Sequence, residues 1–364
     1  MSSALTQLHE SIQAGDHYSA HQKARTTATR LLAPPRRGPA PTTNDKGFLP
    51  FDPKAQEAAT LLYEGATALL EKGQTGSGVD LAGFLCDVWK ARGVQCGSEE
   101  RAKIIKLIAL TGPSGSWRKT LTDQVFAWSA KTGSGATGDV GVHEYLGQVL
   151  YKEQSYHLAT IHLLTCPTSE AARTLADVLF DWSKLDPEGE KGVGRYAARG
   201  VLSYLESTSI LSARVFLSHF LSHTLTAYPT LRVVSFPYPP PSSPLASTLT
   251  STDSDELVVT KLASLNFLQL AVRTCQLGAG EKVEKGEKGE VVKGGGRRAY
   301  EALVKRYEKE VKWMRSPEAK ESTAELGTLY FGIKPPRGAG NPFADMLSGM
   351  FGGGAGGAPA IAGR

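Results

Sequence analysis

The sequence predicts an all-α protein, a right-handed α-solenoid of degenerate TPR-like helix pairs with a small β-hairpin inserted in its C-terminal half. Three observations predict it. Apolar residues recur at steps of three and four through most of the 364 residues, the spacing of one helix face. Short Gly, Pro or Ser connections separate these runs, and nothing before Leu231 alternates as a strand does. The corner Gly15-Asp16-His17-Tyr18-Ser19-Ala20 also has a weak echo in Gln154-Ser155-Tyr156-His157-Leu158-Ala159, which suggests repeated pairs although no strict tetratricopeptide period can be traced.

Gly15 can end one helix in a left-handed conformation, leaving Asp16 to cap the next. That second helix offers Ala20, Ala24 and Ala28 for close packing and turns His17, His21, Gln22, Arg25 and Arg30 outward. The prolines of 34–41 forbid helix, and the stretch reads as a mobile loop. Pro53 restarts helix behind Asp52, and Ala55, Ala59, Leu62, Tyr63, Ala66, Leu69 and Leu70 form one buried stripe ending near Gly73. Ser77-Gly78-Val79-Asp80 has capping-box form, with Asp in place of Glu, ahead of Leu81, Phe84, Leu85, Val88 and Trp89.

Further helices are predicted over 99–110, 117–131, 142–153, 155–164, 169–185, 195–206 and 210–227. The rhythm breaks at 231–236 and 256–260, two β-prone runs that form a hairpin across a Pro/Ser/Thr-rich connection. Helix resumes over 265–272, and the Gly/Lys/Glu insertion 278–296 is expected to be disordered. A last strong helix, 297–315, buries Tyr300, Leu303, Tyr307, Val311 and Met314. After Gly332 only 343–351 reads as a short apolar anchor.

A net charge of +5, from 41 basic and 36 acidic residues, gives no strong field toward nucleic acid or membrane. The amino terminus lacks a basic n-region, and no apolar run approaches bilayer length, so a cytosolic protein without direct membrane insertion is expected. Cys86, Cys96, Cys166 and Cys275 are scattered, as suits reduced, buried thiols. Gly133-Ser134-Gly135-Ala136-Thr137-Gly138 matches G-x-G-x-x-G but follows a helix where pyrophosphate binding needs a strand. The run 112–120 puts Trp117 and Arg118 where a phosphate loop needs a small residue, and a capped helix start explains it better. His17 with His21 and His219 with His223 have paired-ligand spacing, but a third ligand is missing from the local sequence, so no metal site is assigned. No nucleophile has its activating partner, and Glu301, Glu308 and Glu310 interrupt the basic stripe of 297–315, which reads as a solvated face.

Four motifs occur in order along nearly the whole chain: Gly15-Asp16-His17-Tyr18-Ser19-Ala20-His21-Gln22 with Arg25-Thr26, Gly76-Ser77-Gly78-Val79-Asp80-Leu81, Leu265-Asn266-Phe267-Leu268-Gln269-Leu270, and Phe343-Ala344-Asp345-Met346-Leu347-Ser348-Gly349. Together they resemble the Golgi-to-ER traffic protein 4 family. His17 stands where the family often has a second tyrosine, and the insertions 34–41 and 278–296 are unusual. The resemblance implies a scaffold and not an enzyme, serving the delivery of tail-anchored membrane proteins to the ER; the motifs themselves assign no cofactor and no metal. It implies N-terminal repeats over 1–153 that hold a dimeric targeting ATPase. The residues expected at that contact are Gly15, Asp16, Tyr18, His21, Gln22, Arg25 and Asp80, although Asp80 also suits a capping role. It implies C-terminal repeats over 154–330, with the hairpin at about 231–261, that grip a ubiquitin-like partner. Leu231, Val233, Phe236, Leu257, Val259, Leu265, Phe267 and Leu268 are expected there, although Leu265 and Leu268 also suit the core, and that partner brings in a TPR co-chaperone carrying the client. Residues 331–364 are expected to form a flexible Gly/Pro-rich tail. The alternative is a generic helical scaffold subunit, proteasome-lid-like or RNA-associated, whose sign would be salt-sensitive binding through 297–315.

Overall fold

The computed structural model describes residues 3–34, 42–238, 255–280, 284–285, 291–292 and 296–333. They form an all-α fold of helix pairs with a small β-hairpin and a second, two-residue strand pair, divided into two compact units, Met1–Cys166 and Pro167–Arg364. The first unit holds α1 (Ser3–Gln13), α2 (His17–Leu32), α3 (Pro53–Glu71), α4 (Thr75–Arg92), α5 (Ser98–Thr111), α6 (Trp117–Thr132), α7 (Val140–Lys152) and α8 (Tyr156–Leu164). Its core is built on Leu8, Leu62, Leu69, Leu81, Leu85 and Trp128, and the small Ala20, Ala24 and Ala28 let α2 lie close on α3. Trp128 is fully buried and satisfies its indole by donating to the Val94 carbonyl at 2.8 Å.

The second unit holds α9 (Ser169–Ser183), α10 (Val193–Glu206), α11 (Ile210–Ala227), the strands β1 (Arg232–Tyr238) and β2 (Asp255–Thr260), α12 (Ala263–Gly280), the short strands β3 (Glu284–Lys285) and β4 (Val291–Val292), α13 (Gly296–Glu310) and α14 (Pro317–Phe331). Tyr204, Phe216, Phe220, Phe267 and Phe331 fill its core. Gly200 is required there, because a Cβ on α10 would lie 2.3 Å from the Phe216 ring. Tyr300 and Tyr330 donate to the carbonyls of Thr323 and Leu205, each at 2.7 Å, so their buried hydroxyls are matched.

Four helix corners share one backbone. Gly15, Gly73, Gln154 and Thr208 have φ of 81°, 72°, 60° and 59°. The next residue, Asp16, Gln74, Ser155 or Ser209, is the N-cap of the following helix with ψ between 60° and 67°. Its N–H reaches back to the carbonyl of Ser11, Leu69, Leu150 or Tyr204 at 2.8–3.0 Å, closing a Schellman-type loop. A small buried residue, Ala20, Gly78, Ala159 or Ala213, then donates its N–H to the cap carbonyl at 2.9–3.0 Å. The sequence echo between 15–20 and 154–159 is one pairing within this set. The others are hidden because the left-handed position is filled by Gly twice and by Gln and Thr once each.

Several expected boundaries are corrected. Ser77 does not cap α4: the left-handed turn at Gly73 starts the helix at Thr75, and Gln74 occupies the cap position without a side-chain bond. Asp80 is thereby released from capping. Ser116 stands at the N-cap of α6 but makes no capping hydrogen bond either. The helix expected over 297–315 stops at Glu310, where Val311 is extended, and continues only as a 3-10 turn over Lys312–Arg315. α14 was not anticipated; Ser316 caps it by accepting from the Ala319 N–H at 3.2 Å, with Pro317 in its first turn. Inside the insertion expected to be disordered, α12 runs on to Gly280 and β3 pairs antiparallel with β4, where Val291 and Val292 supply β-prone residues. The loop reading of 35–41 and the apolar anchor at 343–351 lie outside the described residues.

All four cysteines are unpaired and buried. Burial pushes every thiol up, that of Cys166 to about 11 and those of Cys96 and Cys275 to about 12, with Cys86 higher still.

Candidate protein-interaction site

In the first unit, α2 and α4 meet through one carboxylate. His21 and Arg25, one turn apart on α2, both reach Asp80 Oδ2 on α4; the His21 Nε2 distance is 2.8 Å, and Arg25 donates through Nη1. Burial raises the Asp80 carboxyl, but the hydrogen bonds from His21 and Arg25 outweigh it and hold the group below the usual carboxylate range. The Arg25 guanidinium also lies 5.6 Å over the Phe84 ring. Tyr18 and Gln22 continue the Arg25 stripe toward the corner, and Tyr18 is 76% exposed. Gly15 forms that corner with φ 81°, and Asp16 accepts the Ser19 N–H at 3.1 Å. Of the residues expected here, Tyr18 and Gln22 project freely, Arg25 and Asp80 are half-exposed and paired with each other, and His21 is largely covered, its side chain only 14% exposed.

In the second unit the hairpin is held by two amides. β1 and β2 pair antiparallel, with Val234 opposite Val259, Ser235 opposite Val258 and Phe236 opposite Leu257. Gln269 on α12 accepts the Val258 N–H at 2.9 Å and donates to the Val258 carbonyl at 2.7 Å. Asn266, one turn earlier, accepts the Thr260 N–H and donates to the Thr260 carbonyl, both at 2.8 Å. Spaced three apart on a helix, the two amides match two residues spaced two apart on a strand, so they bond the edge of β2 that faces away from β1. The buried Val258 and Thr260 side chains then face the helices.

The opposite face of the hairpin is apolar and open. By the pleat, Val234, Phe236, Leu257 and Val259 share it, with Val234 and Phe236 41% and 51% exposed. Val234 was missed by the sequence reading because the register shifts between Arg232 and Val234, and Val233, 59% exposed, lies at that irregularity. Leu231, Leu265, Phe267 and Leu268 are fully buried, so none of them presents a surface: Leu231 packs with Val258 beneath the hairpin, and Phe267 turns to Tyr307 and Trp313. Behind it, α11, α12 and the hairpin enclose a groove of about 220 Å³ lined by Arg214, Arg232, Glu256 and Arg273.

The remaining candidates resolve differently. Gly133, Gly135 and Gly138 all have positive φ and turn the chain from α6 to Asp139, the N-cap of α7, which also takes a two-pronged contact from Arg101 at 2.7 and 2.8 Å. Arg118 pairs with Glu153 and donates through Nε to the Gly112 carbonyl at 3.1 Å, so it braces the turn ahead of α6. On 297–315, Arg297 pairs with Glu301 and Arg306 with Glu310, which leaves a mixed face. The His219 and His223 pair does have a third neighbour, Asp177, supplied by α9 from far earlier in the chain.

These features define a class first: a helical-repeat scaffold that presents side-chain surfaces, one of mixed charge and one apolar, around buried cores. The profile of the family described as Golgi to ER traffic protein 4 matches residues 53–351. The chain belongs to that family. Its relatives include Golgi to ER traffic protein 4 of Aspergillus fumigatus, 27% identical over 95% of this chain and 88% of the relative, and that of Schizosaccharomyces pombe, 25% identical over 93% and 92%. The crystal structure described as C. therm. Get4 matches the fold with a TM-score of 0.72 at 24% identity, covering 99% of this chain and 98% of that one. Membership indicates a role in Golgi-to-ER traffic. Among the described residues, no helix is long and apolar enough to cross a membrane.

Proposed function

We propose that this chain is a cytosolic adaptor in the delivery of tail-anchored membrane proteins to the ER. The α2–α4 face holds a dimeric targeting ATPase, and the hairpin holds a ubiquitin-like protein that brings in a TPR co-chaperone with its client. One observation carries the reading: each unit exposes a contact face, and the two faces differ in chemistry. The polar face, with exposed Tyr18 and the Arg25–Asp80 pair, suits a fast, electrostatically steered and reversible contact. The apolar hairpin face suits a drier contact around Val234 and Phe236.

The test separates the faces in the full chain. Tyr18→Ala and Arg25→Glu each weaken ATPase binding by about 1–3 kcal/mol, the range of an interface hot spot, and leave capture of the ubiquitin-like partner intact. Val234→Glu combined with Phe236→Glu does the reverse. These side chains are exposed or half-exposed, so the circular dichroism spectrum stays that of the wild type. A folded variant that binds its assigned partner with unchanged affinity removes that face from the proposal.

A further inference from the structure

We propose that Asp177, His219 and His223 bind a divalent transition-metal ion of the zinc type, tying α9 to α11. His219 and His223 lie on successive turns of α11, and Asp177 comes from the neighbouring α9. His219 Nε2 and His223 Nε2 are 3.0 and 2.9 Å from the same Asp177 oxygen, and the two nitrogens are 3.1 Å apart. A hydrogen-bonded chain would use two of these edges. Closure of the third makes a triangle of donor atoms around a common point, and a tetrahedral zinc ion with bonds of about 2.0–2.2 Å has ligand–ligand edges of about 3.3–3.6 Å. Opening the triangle by a few tenths of an ångström is within the reach of small side-chain rotations.

The rings are held in place for this. His223 stacks on the buried Phe180 ring at 5.6 Å and 22°, and His219 meets His223 edge-on at 4.6 Å. Such packing fixes two ligands before an ion arrives. The side chains of Asp177, His219 and His223 are 36%, 34% and 41% exposed, which gives an ion a path in and leaves the fourth position to water. Two imidazoles with one carboxylate suit zinc and its neighbours, whereas calcium and magnesium require mostly oxygen.

Zinc chloride is titrated calorimetrically into the tag-free, chelator-treated full chain, and cobalt chloride is titrated in parallel with visible absorption as the readout. One equivalent of zinc binds, and cobalt produces the d–d bands of a four-coordinate ion. Loss of an outer-shell partner alone costs metal sites about 10–100-fold in affinity, so His219→Ala and His223→Ala each weaken zinc binding by at least that much. His157→Gln, at an exposed position of α8, binds as the wild type does. Wild-type zinc affinity in both histidine variants overturns the proposal. Because cobalt absorption needs no variant, the absence of d–d bands from the wild-type chain at stoichiometric cobalt overturns it as well.

Discussion

Replacing Gln269 with Leu keeps the size of the side chain but removes both halves of its bond to β2. The Val258 N–H and carbonyl, now bonded at 2.9 and 2.7 Å, are left without their partner against a residue that is 5% exposed. Each buried backbone group stranded in this way costs about 1–3 kcal/mol. The hairpin is two-stranded, so water reaches the loosened edge more readily than a closed core, and the sum falls near the lower end, about 2–3 kcal/mol. A loss of about 2 kcal/mol raises the population of the detached hairpin about 30-fold. Native-state amide exchange reads this directly at Val258 and at Thr260, whose N–H is held by the neighbouring Asn266. If the two amides accelerate together, the clamp opens as a unit. Gln269→Glu still accepts from the Val258 N–H but sets a carboxylate against the Val258 carbonyl, so it also loosens the strand. Exchange at Val258 within twofold of the wild type in Gln269→Leu would refute the claim that this amide holds the hairpin.

Other consequences are equally direct. Burial raises the Asp139 carboxyl, but the Arg101 hydrogen bond and the Val142 N–H lower it further, so the folded group lies below the usual range. A depressed carboxyl contributes stability that is present above its unfolded value of about 4 and is lost as pH falls through the folded one. The urea-midpoint gap between wild type and Asp139→Asn should therefore narrow on acidification from neutral pH, and a constant gap would argue against the Arg101 pairing. At the corners, a left-handed L-residue costs about 1–2 kcal/mol, and glycine gives back about 0.5–1 kcal/mol as chain entropy. Gln154→Gly and Thr208→Gly should thus each raise stability by about 0.5–1 kcal/mol in thermal melts, and lower midpoints in both would show that these left-handed positions carry no strain for glycine to relieve. Gly15→Ala, at φ 81°, should lower it by about 1 kcal/mol.

The helices were legible because their information is local. Stripes such as Leu62, Ala66, Leu69 and Leu70 announce a buried face within a few turns. α14 escaped because the start of its buried face is weak, with Ala319 and Thr323 preceding Leu326, Tyr330 and Phe331. The start of α4 was misread because Ser77 and Asp80 match a capping box, while the conformation of Gly73, which sets the start, has no side-chain signature. At the candidate sites, apolar character alone could not separate support from surface. Leu265, Phe267 and Leu268 recur at helical spacing and are core, whereas Val234 faces outward because of a register irregularity no composition reveals. Asn266 and Gln269 stood inside a recognised motif, yet their task depends on the register of β2. Asp177 joins His219 and His223 only after α9 packs on α11.

The buried cysteines have a practical consequence. Burial raises all four thiols, so each is almost wholly protonated at neutral pH. Maleimide dyes, which react with exposed thiolates, meet an almost silent background. A single surface thiol introduced by Tyr18→Cys or Val234→Cys would take the label alone, so a fluorophore on either face could report the arrival and departure of a partner in real time, without first stripping the native cysteines out of the core.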